Sequence, residues 1–183
     1  MMTRSTEFII IGSKQRLSKL NECSIRVGSN DVQFPVKTVR NLVGSWFDSN
    51  LSMSTHINKL CSTAFFYLHN IQGIRKHFDQ KSVLTLLLAF ITSRLDYCNS
   101  LLYGLPNTEI SKLQRVNNAA ARTVTFSSKF SHVTPVLCEL HWLPVRFRIS
   151  FKMLLIVFKS LLGQTPQYIS NLISVRNRSA YQM

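Results

Sequence analysis

Residues 53–78 carry the sequence MSTHINKLCSTAFFYLHNIQGIRKHF, in which the spacing of apolar side chains becomes helical. Apolar residues recur every three or four positions and so fall on one side of an α-helix. They are Ile57, Leu60, Ala64, Leu68 and Ile71. We expect Ser54 or Thr55 to cap the start of this helix, which should run to about residue 78.

The chain beyond this helix is also predicted to be helical. Asp79 should cap a helix over residues 80–103, whose first half contains the run VLTLLLAFI and is apolar nearly all round. Such a helix belongs in the middle of a helical core. A third helix is predicted over residues 107–124. Short helical turns should begin at residues 134–135 and at Pro166, and a helix of about 19 residues at Pro144, with each proline at the tolerated first helical position.

The first 50 residues have a different pattern. Residues 6–12 (TEFIIIG) form a short apolar run rich in β-branched side chains, which predicts a strand buried on both faces. Residues 24–27 and 32–36 flank a turn-forming cluster at 28–31, which predicts a β-hairpin, and residues 38–47 should be extended. We therefore predict an α+β fold, with a small β-rich segment over residues 1–50 and an all-helical segment over residues 51–183.

Length and composition limit the class of protein. The chain has 183 residues, of which 45% are hydrophobic, enough for one compact domain, or one and a fragment, and too many for wholesale disorder. The longest apolar stretches, such as residues 86–91, are far shorter than the roughly 18 residues that a membrane span needs. The first residues lack the apolar run of about 7–15 residues found in a secretory signal. We therefore expect no transmembrane segment and an intracellular location.

Charge points to a polyanionic partner. The chain has 22 Lys and Arg against 8 Asp and Glu, a net charge of +14. Most of the excess lies in residues 51–183, where fifteen basic residues face four acidic ones. A surplus of this size produces a lasting positive potential that attracts nucleic acid or anionic lipid.

Two of the predicted helices carry basic stripes. In the helix over 107–124 the stripe lies opposite the apolar side, and in the helix from Pro144 it interrupts an otherwise apolar surface. The stripe residues are Lys112, Arg115, Asn118 and Arg122 in the first helix, and Arg148, Lys152 and Lys159 in the second. A merely solvated face would ordinarily mix both signs of charge, whereas Glu109 is the only acid on these helices. This favours phosphate contacts. Arg75, Lys76 and Lys81 could also meet phosphate, or lie in an exposed linker.

The motifs of catalytic and cofactor sites are absent from the sequence. The glycines are too far apart for a nucleotide-binding loop. A magnesium site would favour a pair of neighbouring acidic residues, and no two acidic residues are adjacent in the sequence. His132, Cys138 and His141 form a loose constellation without a fourth ligand at fixed spacing, which is more typical of packing and capping than of zinc. We expect no catalytic residue, cofactor, metal or small-molecule substrate.

Five segments in one order resemble the C-terminal part of a non-LTR (LINE-type) retrotransposon reverse transcriptase, and together they cover nearly the whole chain. They are TEFIIIGS at 6–13, VRNLVGSWFDSNLSMSTHI at 39–57, SRLDYCNSLLYGLP at 93–106, KLQRVNNAAAR at 112–122 and LHWLPVRFRISFK at 140–152. The resemblance implies the end of the palm, then the primer grip, then the thumb. The residues that match the primer grip are Arg40, Asn41, Leu42, Gly44, Trp46 and Phe47.

The same resemblance places the family's paired catalytic aspartates upstream of Met1. It therefore implies a truncated fragment of an RNA-directed DNA polymerase that binds template–primer and is no enzyme by itself. Val43 stands between Leu42 and Gly44, where the family usually has no residue. A one-residue insertion in a strand reverses the facing of later side chains unless a bulge accommodates it. The alternative hypothesis is a basic helical interaction module that binds a partner or an anionic membrane surface.

Overall fold

The N-terminal part of the chain contains short elements. The computed structural model describes residues 8–19, 24–27, 30–33, 38–40 and 44–174. A single helical turn, α1 (Lys14–Leu17), precedes two separate antiparallel sheets of two strands each. The strands are β1 (Ser24–Val27), paired with β2 (Asn30–Gln33), and β3 (Thr38–Arg40), paired with β4 (Trp46–Asp48).

The rest of the described chain is helical, so the predicted α+β order is confirmed. The α-helices are α2 (Ser54–Ile74), α3 (Gln80–Leu87), α4 (Ser93–Asp96), α5 (Asn107–Val124), α6 (Val133–Glu139), α7 (Val145–Leu161) and α8 (Gln167–Ser170). The boundary between two domains near residue 50 stays a prediction. Phe47 of β4 packs against the helical core.

Helix α5 is the centre of the core. It contacts α2, α3, α6 and α7. Its predicted bounds and its predicted apolar side are both confirmed, since every residue of that side is buried. Those residues are Ile110, Leu113, Val116, Ala120 and Val124. The five-residue row predicted for α2 is buried at Ile57, Ala64, Leu68 and Ile71 and half-buried at Leu60.

Helix α7 begins with a contact from α5. Pro144 occupies the N-cap position and makes no side-chain cap. The first amide of α7, on Val145, instead donates to Oε1 of Gln114 at 2.8 Å. Pro144 and Pro166 were predicted at the first helical position, but each occupies the N-cap, one position earlier. Pro135 lies inside α6.

The predicted strand over residues 6–12 is wrong for the part that the structure describes. Residues 8–13 form no regular element, and Ile11 is exposed. The backbone N–H of Gly12 donates to the carbonyl of Ser49 at 3.0 Å. A strand buried on both faces needs ladder partners, and none of the described strands lies beside this segment.

The hairpin predicted around residues 28–31 is confirmed, with a small shift. Its second strand begins at Asn30, which pairs with Val27, rather than at residue 32. The predicted extended piece at residues 38–47 contains β3 and most of β4.

The predicted cap of α2 is wrong, because Ser54 and Thr55 lie inside the helix. Met53 holds the N-cap position with a positive φ of 57°. Its N–H donates to Oδ1 of Asp48 at 3.2 Å, while the hydroxyl of Ser52 donates to Oδ2 of the same carboxylate. The start of α2 is thereby tied to the end of β4. The helix ends at Ile74, and a 3-10 turn covers Arg75–His77.

The helix predicted over 80–103 is divided into several pieces. Between α3 and α4 the backbone forms a wider π turn over Leu88–Thr92, and after α4 the left-handed Cys98 (φ 52°) redirects the chain into a 3-10 turn over Asn99–Leu102. Leu87, Ile91 and Leu95 are all buried. Each four-residue step in a regular α-helix rotates a side chain by about 40°, so a wider turn helps to keep all three facing the core.

Candidate nucleic-acid interface

The outward side of α5 carries the first predicted stripe, whose four members differ in their surroundings. Arg115 is exposed and, within the described part of the chain, has no hydrogen-bond or ion-pair partner. Lys112 donates to both carboxylate oxygens of Glu109 at 2.9 Å and to Oδ1 of Asn58 at 3.0 Å. Asn118 accepts from Nε2 of Gln114 at 2.7 Å. Arg115 is therefore the member that is free for an external phosphate.

Arg122, the fourth member, lines a groove of about 400 Å³ where the C-terminal ends of α2 and α5 meet. Two further cations, Arg75 and Lys129, line the same groove. Gln72 and the hydroxyl-bearing Thr123, Ser127 and Ser128 contribute to its wall, together with Ala119. The lining includes no Asp or Glu. We name this feature the cationic groove.

Local contacts hold the cationic groove in shape. Nε and Nη2 of Arg122 donate to the carbonyl of Ser131 at 3.2 and 3.0 Å, which fixes the guanidinium in place. The Arg75 guanidinium lies 5.2 Å from the centre of the Phe126 ring. Nε2 of Gln72 donates to the buried Thr123 hydroxyl at 3.0 Å and joins the two helices. A guanidinium with a fixed orientation offers its remaining N–H groups to a phosphate at little entropic cost.

The second predicted stripe, on α7, does not form one surface. The Arg148 side chain is only 13% exposed and pairs with Asp96 at 3.2 Å. It also donates to the carbonyl of Leu143 at 2.9 Å and to Oδ1 of the fully buried Asn117 at 3.3 Å. Lys152 and Lys159 are exposed. The structure thus places Arg148 in internal contacts and leaves the two lysines toward solvent.

The seven predicted contact residues also do not gather in one groove. Arg148 and Lys152 line a second groove of about 410 Å³ with Asp96 and Trp142, whereas Arg122 lines the cationic groove. The second groove has a smaller net positive charge than the cationic groove, because Asp96 offsets one of its two cations.

Of the residues predicted as a primer grip, Arg40 lies on β3, and Trp46 and Phe47 lie on β4. Arg40 pairs with Trp46 across the strands, and Gly44 has a left-handed φ of 85°. Asn41 and Leu42 lie outside the described residues. Phe47 packs against the helical core, which holds β4 against the helices.

Trp46 makes two contacts with side chains of α2, one through its ring and one through its backbone. The Nζ atom of Lys59 lies 3.0 Å from the centre of its indole ring, a cation–π contact. Its backbone N–H donates to Nδ1 of His56 at 3.4 Å. Burial lowers the pKa of His56, which favours the neutral imidazole that such a hydrogen bond requires.

Sequence reasoning named Arg75 and Arg122 but missed the rest of the cationic groove. Lys129 and the serines at 127 and 128 lie in the loop after α5, where no periodic pattern marks them. The local signal that could have found them is the run SSK at 127–129, a basic residue beside two hydroxyls. Their neighbour Gln72 lies 51 positions before Thr123, and only the folded chain shows that the two meet.

The acidic and metal-ligating residues of the described chain are dispersed. No three His, Cys, Asp or Glu side chains there come together in a way that could hold a metal ion, so His132, Cys138 and His141 form no such group. Asp96 and Glu109 are each paired with a cation. None of the described helices is both long and apolar enough to span a bilayer.

Comparison of the chain with models of known protein families, with curated protein sequences and with solved structures gave no match in any of the three.

Proposed function

We propose that this chain binds the phosphate backbone of nucleic acid through the cationic groove, as the primer-grip and thumb segment of a non-LTR retrotransposon reverse transcriptase. The observation that carries the proposal is the meeting of Arg75, Arg122 and Lys129 in one groove whose lining has no carboxylate. The ordered sequence resemblance supports the family, and the net charge of +14 supports a polyanionic ligand.

The proposed contact begins at the cationic groove and continues along α5. Arg115 lies seven residues before Arg122, two helical turns and about 10 Å along the axis. Phosphates along one strand are spaced by several ångströms, so two or more of them can reach these cations together. Ser127 and Ser128 supply hydroxyl donors to the same oxygens. Backbone contacts of this kind position a duplex without reading its sequence.

Lys152 and Lys159 remain predicted phosphate contacts, but they lie outside the proposed binding surface. Both lie beside exposed Phe and Leu side chains of α7, which a hydrated phosphate backbone does not require.

The test is a salt titration of binding to a labelled RNA–DNA primer–template, followed by fluorescence anisotropy. Replacing Arg75, Arg122 and Lys129 with Gln should weaken binding and reduce the slope of log K against log salt by roughly 2 to 3. The matched control replaces Lys14, Lys19 and Arg146 with Gln, which removes the same charge at exposed positions outside the cationic groove. Equal losses in the two triple variants would reduce the proposal to a non-specific charge effect.

By the same resemblance, we propose that the chain binds template–primer and does not itself catalyse nucleotide transfer. Primer extension with the full chain, Mg²⁺ and deoxynucleotides should yield no product. Product that depends on Mg²⁺ and on the added chain would contradict this part of the proposal.

A further inference from the structure

The loop that follows α5 carries two aromatic rings beside the cationic groove. Residues 126–130 read FSSKF, and we name them the FSSKF loop. Phe126 is 47% exposed, and Phe130 is 85% exposed, the largest exposed fraction of any large apolar side chain in the described residues. Neither ring belongs to the hydrophobic clusters that form the described core. Packing of the core therefore does not account for these two side chains.

Each ring lies next to a cation of the groove. The Arg75 guanidinium is 5.2 Å from the centre of the Phe126 ring, and Nζ of Lys129 is 4.9 Å from the centre of the Phe130 ring. Both cations line the cationic groove. Residues 110–138 contain no Asp or Glu. This part of the surface therefore combines uncompensated positive charge with exposed aromatic rings.

Local hydrogen bonds hold the FSSKF loop in shape. The backbone N–H of Ser127 donates to the carbonyl of Arg122 at 3.0 Å, and the hydroxyls of Ser127 and Thr125 share a hydrogen bond of 2.7 Å. The backbone N–H of Phe130 donates to the Ser128 hydroxyl oxygen at 3.3 Å. Because the loop is already ordered by these contacts, a ligand that uses its rings loses less conformational entropy on binding.

Exposed aromatic rings beside cations favour a nucleic acid whose bases are unpaired. In a duplex each base is stacked on its neighbours, so a protein contacts phosphates, sugars and base edges. Unpaired bases expose their faces, and aromatic side chains stack on them. Sites for single strands combine such rings with a positively charged groove that follows the backbone. The FSSKF loop and the cationic groove together supply both parts.

We propose that the FSSKF loop binds unpaired nucleotides that continue from the duplex held by the cationic groove. This inference rests on the proposed function, because the groove cations must hold the backbone of the same nucleic acid. The unpaired bases stack on Phe126 and Phe130, and their phosphates lie near Arg75 and Lys129. Since every base has a face that can stack, binding should tolerate changes of base sequence.

The test compares three labelled primer–templates that share one duplex. The first is blunt, the second has an unpaired template overhang of about six nucleotides, and the third has the same overhang built from abasic nucleotides. In fluorescence anisotropy with the full chain, the overhang with bases should bind at least about fivefold more tightly than the abasic one. The two overhangs should give the same salt slope, because they carry the same phosphates.

Variants of the FSSKF loop assign the difference to its rings. Phe130→Ala should abolish the preference for the overhang with bases and leave the affinity for the blunt duplex unchanged, whereas Phe130→Trp should retain the preference. Phe126→Asn should reduce the preference, and Asn accepts the left-handed backbone of this position (φ 54°). The matched control is Phe158→Ala, at a 59% exposed position on α7, which should leave the preference unchanged.

Three results would each overturn the inference. The first is equal binding of the intact and abasic overhangs by the unaltered chain. The second is an equal loss of preference in Phe130→Ala and Phe158→Ala. The third is flotation with phosphatidylserine vesicles that depends on Phe130 and that the overhang cannot compete away, which would assign the loop to a membrane surface.

The blunt duplex separates this inference from the proposed function. If the unaltered chain binds the blunt duplex but does not distinguish the two overhangs, the inference about the FSSKF loop fails alone. If the chain binds none of the three primer–templates, the proposed function fails and the inference fails with it.

Discussion

Arg148 has a structural role, because its hydrogen bonds and ion pair are made within the fold. The effect of replacing it with Met on stability can be estimated from those contacts. The guanidinium is in contact with Asp96, the Leu143 carbonyl and Oδ1 of Asn117. Asn117 is fully buried, and its Nδ2 atom has no hydrogen-bond partner in the described chain. Removing Arg148 therefore leaves a whole buried amide without a partner.

The expected change in the free energy of unfolding follows from how exposed each contact of Arg148 is. The Asp96 side chain is 42% exposed, so the screened ion pair contributes under ~1 kcal/mol. Hydrogen bonds from a charged donor to a neutral acceptor contribute about 1.5–3 kcal/mol each, more where the acceptor is buried. Met retains the packing of the aliphatic stem. Two such bonds are lost, so Arg148→Met should lower the free energy of unfolding by about 3–6 kcal/mol.

The assay is equilibrium unfolding in urea, monitored by far-ultraviolet circular dichroism. The control is Lys152→Met, one helical turn further along α7 at an exposed position, which should change the free energy of unfolding by less than ~0.5 kcal/mol. Similar changes in the two variants would refute the assignment of Arg148 to the structural network.

Three further predictions concern the core, pH and thiol chemistry. Leu113→Ala, at a fully buried position on α5, should cost about 2–5 kcal/mol, whereas Leu172→Ala at an 83% exposed position should cost almost nothing; urea unfolding of both tests this, and equal costs would contradict the described core. Because burial lowers the pKa of His56 below its ordinary 6.5, the unfolded chain binds a proton first as pH falls, so stability should decrease below about pH 6.5. His56→Gln should flatten that decrease between pH 7.5 and 5, and an unchanged slope would refute the assignment. Iodoacetamide should modify the exposed Cys138 before Cys61, whose pKa is raised by burial; peptide mass mapping over time checks the order, and equal rates would count against it.

Local periodicity was sufficient to predict α5 and its buried face. Its apolar residues recur at helical spacing, and Pro106 precedes the first turn. The same kind of pattern could not show the division of the helix after Asp79, because the π turn at 88–92 depends on keeping Ile91 toward the core. Neither could it show that residues 8–11 would be left without strand partners, since pairing is non-local.

The candidate site was less predictable than the fold. Arg148 and Arg122 have the same local signature as Arg115, a cation on a helix with few acids. Their partners distinguish them, and the two side chains that Arg148 contacts lie 31 and 52 residues away in sequence. The cationic groove depends likewise on the meeting of two helix ends. Charge composition therefore predicted a polyanion-binding class, while the choice of residues required the folded chain.

The contact between Gln114 and the first amide of α7 links the formation of two helices. A proline at the N-cap leaves the first turn of α7 without a local side-chain acceptor, and α5 supplies that acceptor from 31 residues upstream. Because short isolated helices are marginal in water, α7 should gain its full helicity only once α5 is in place. The two helices are therefore expected to open and close as a single cooperative unit, which amide hydrogen exchange would register as matched protection in both.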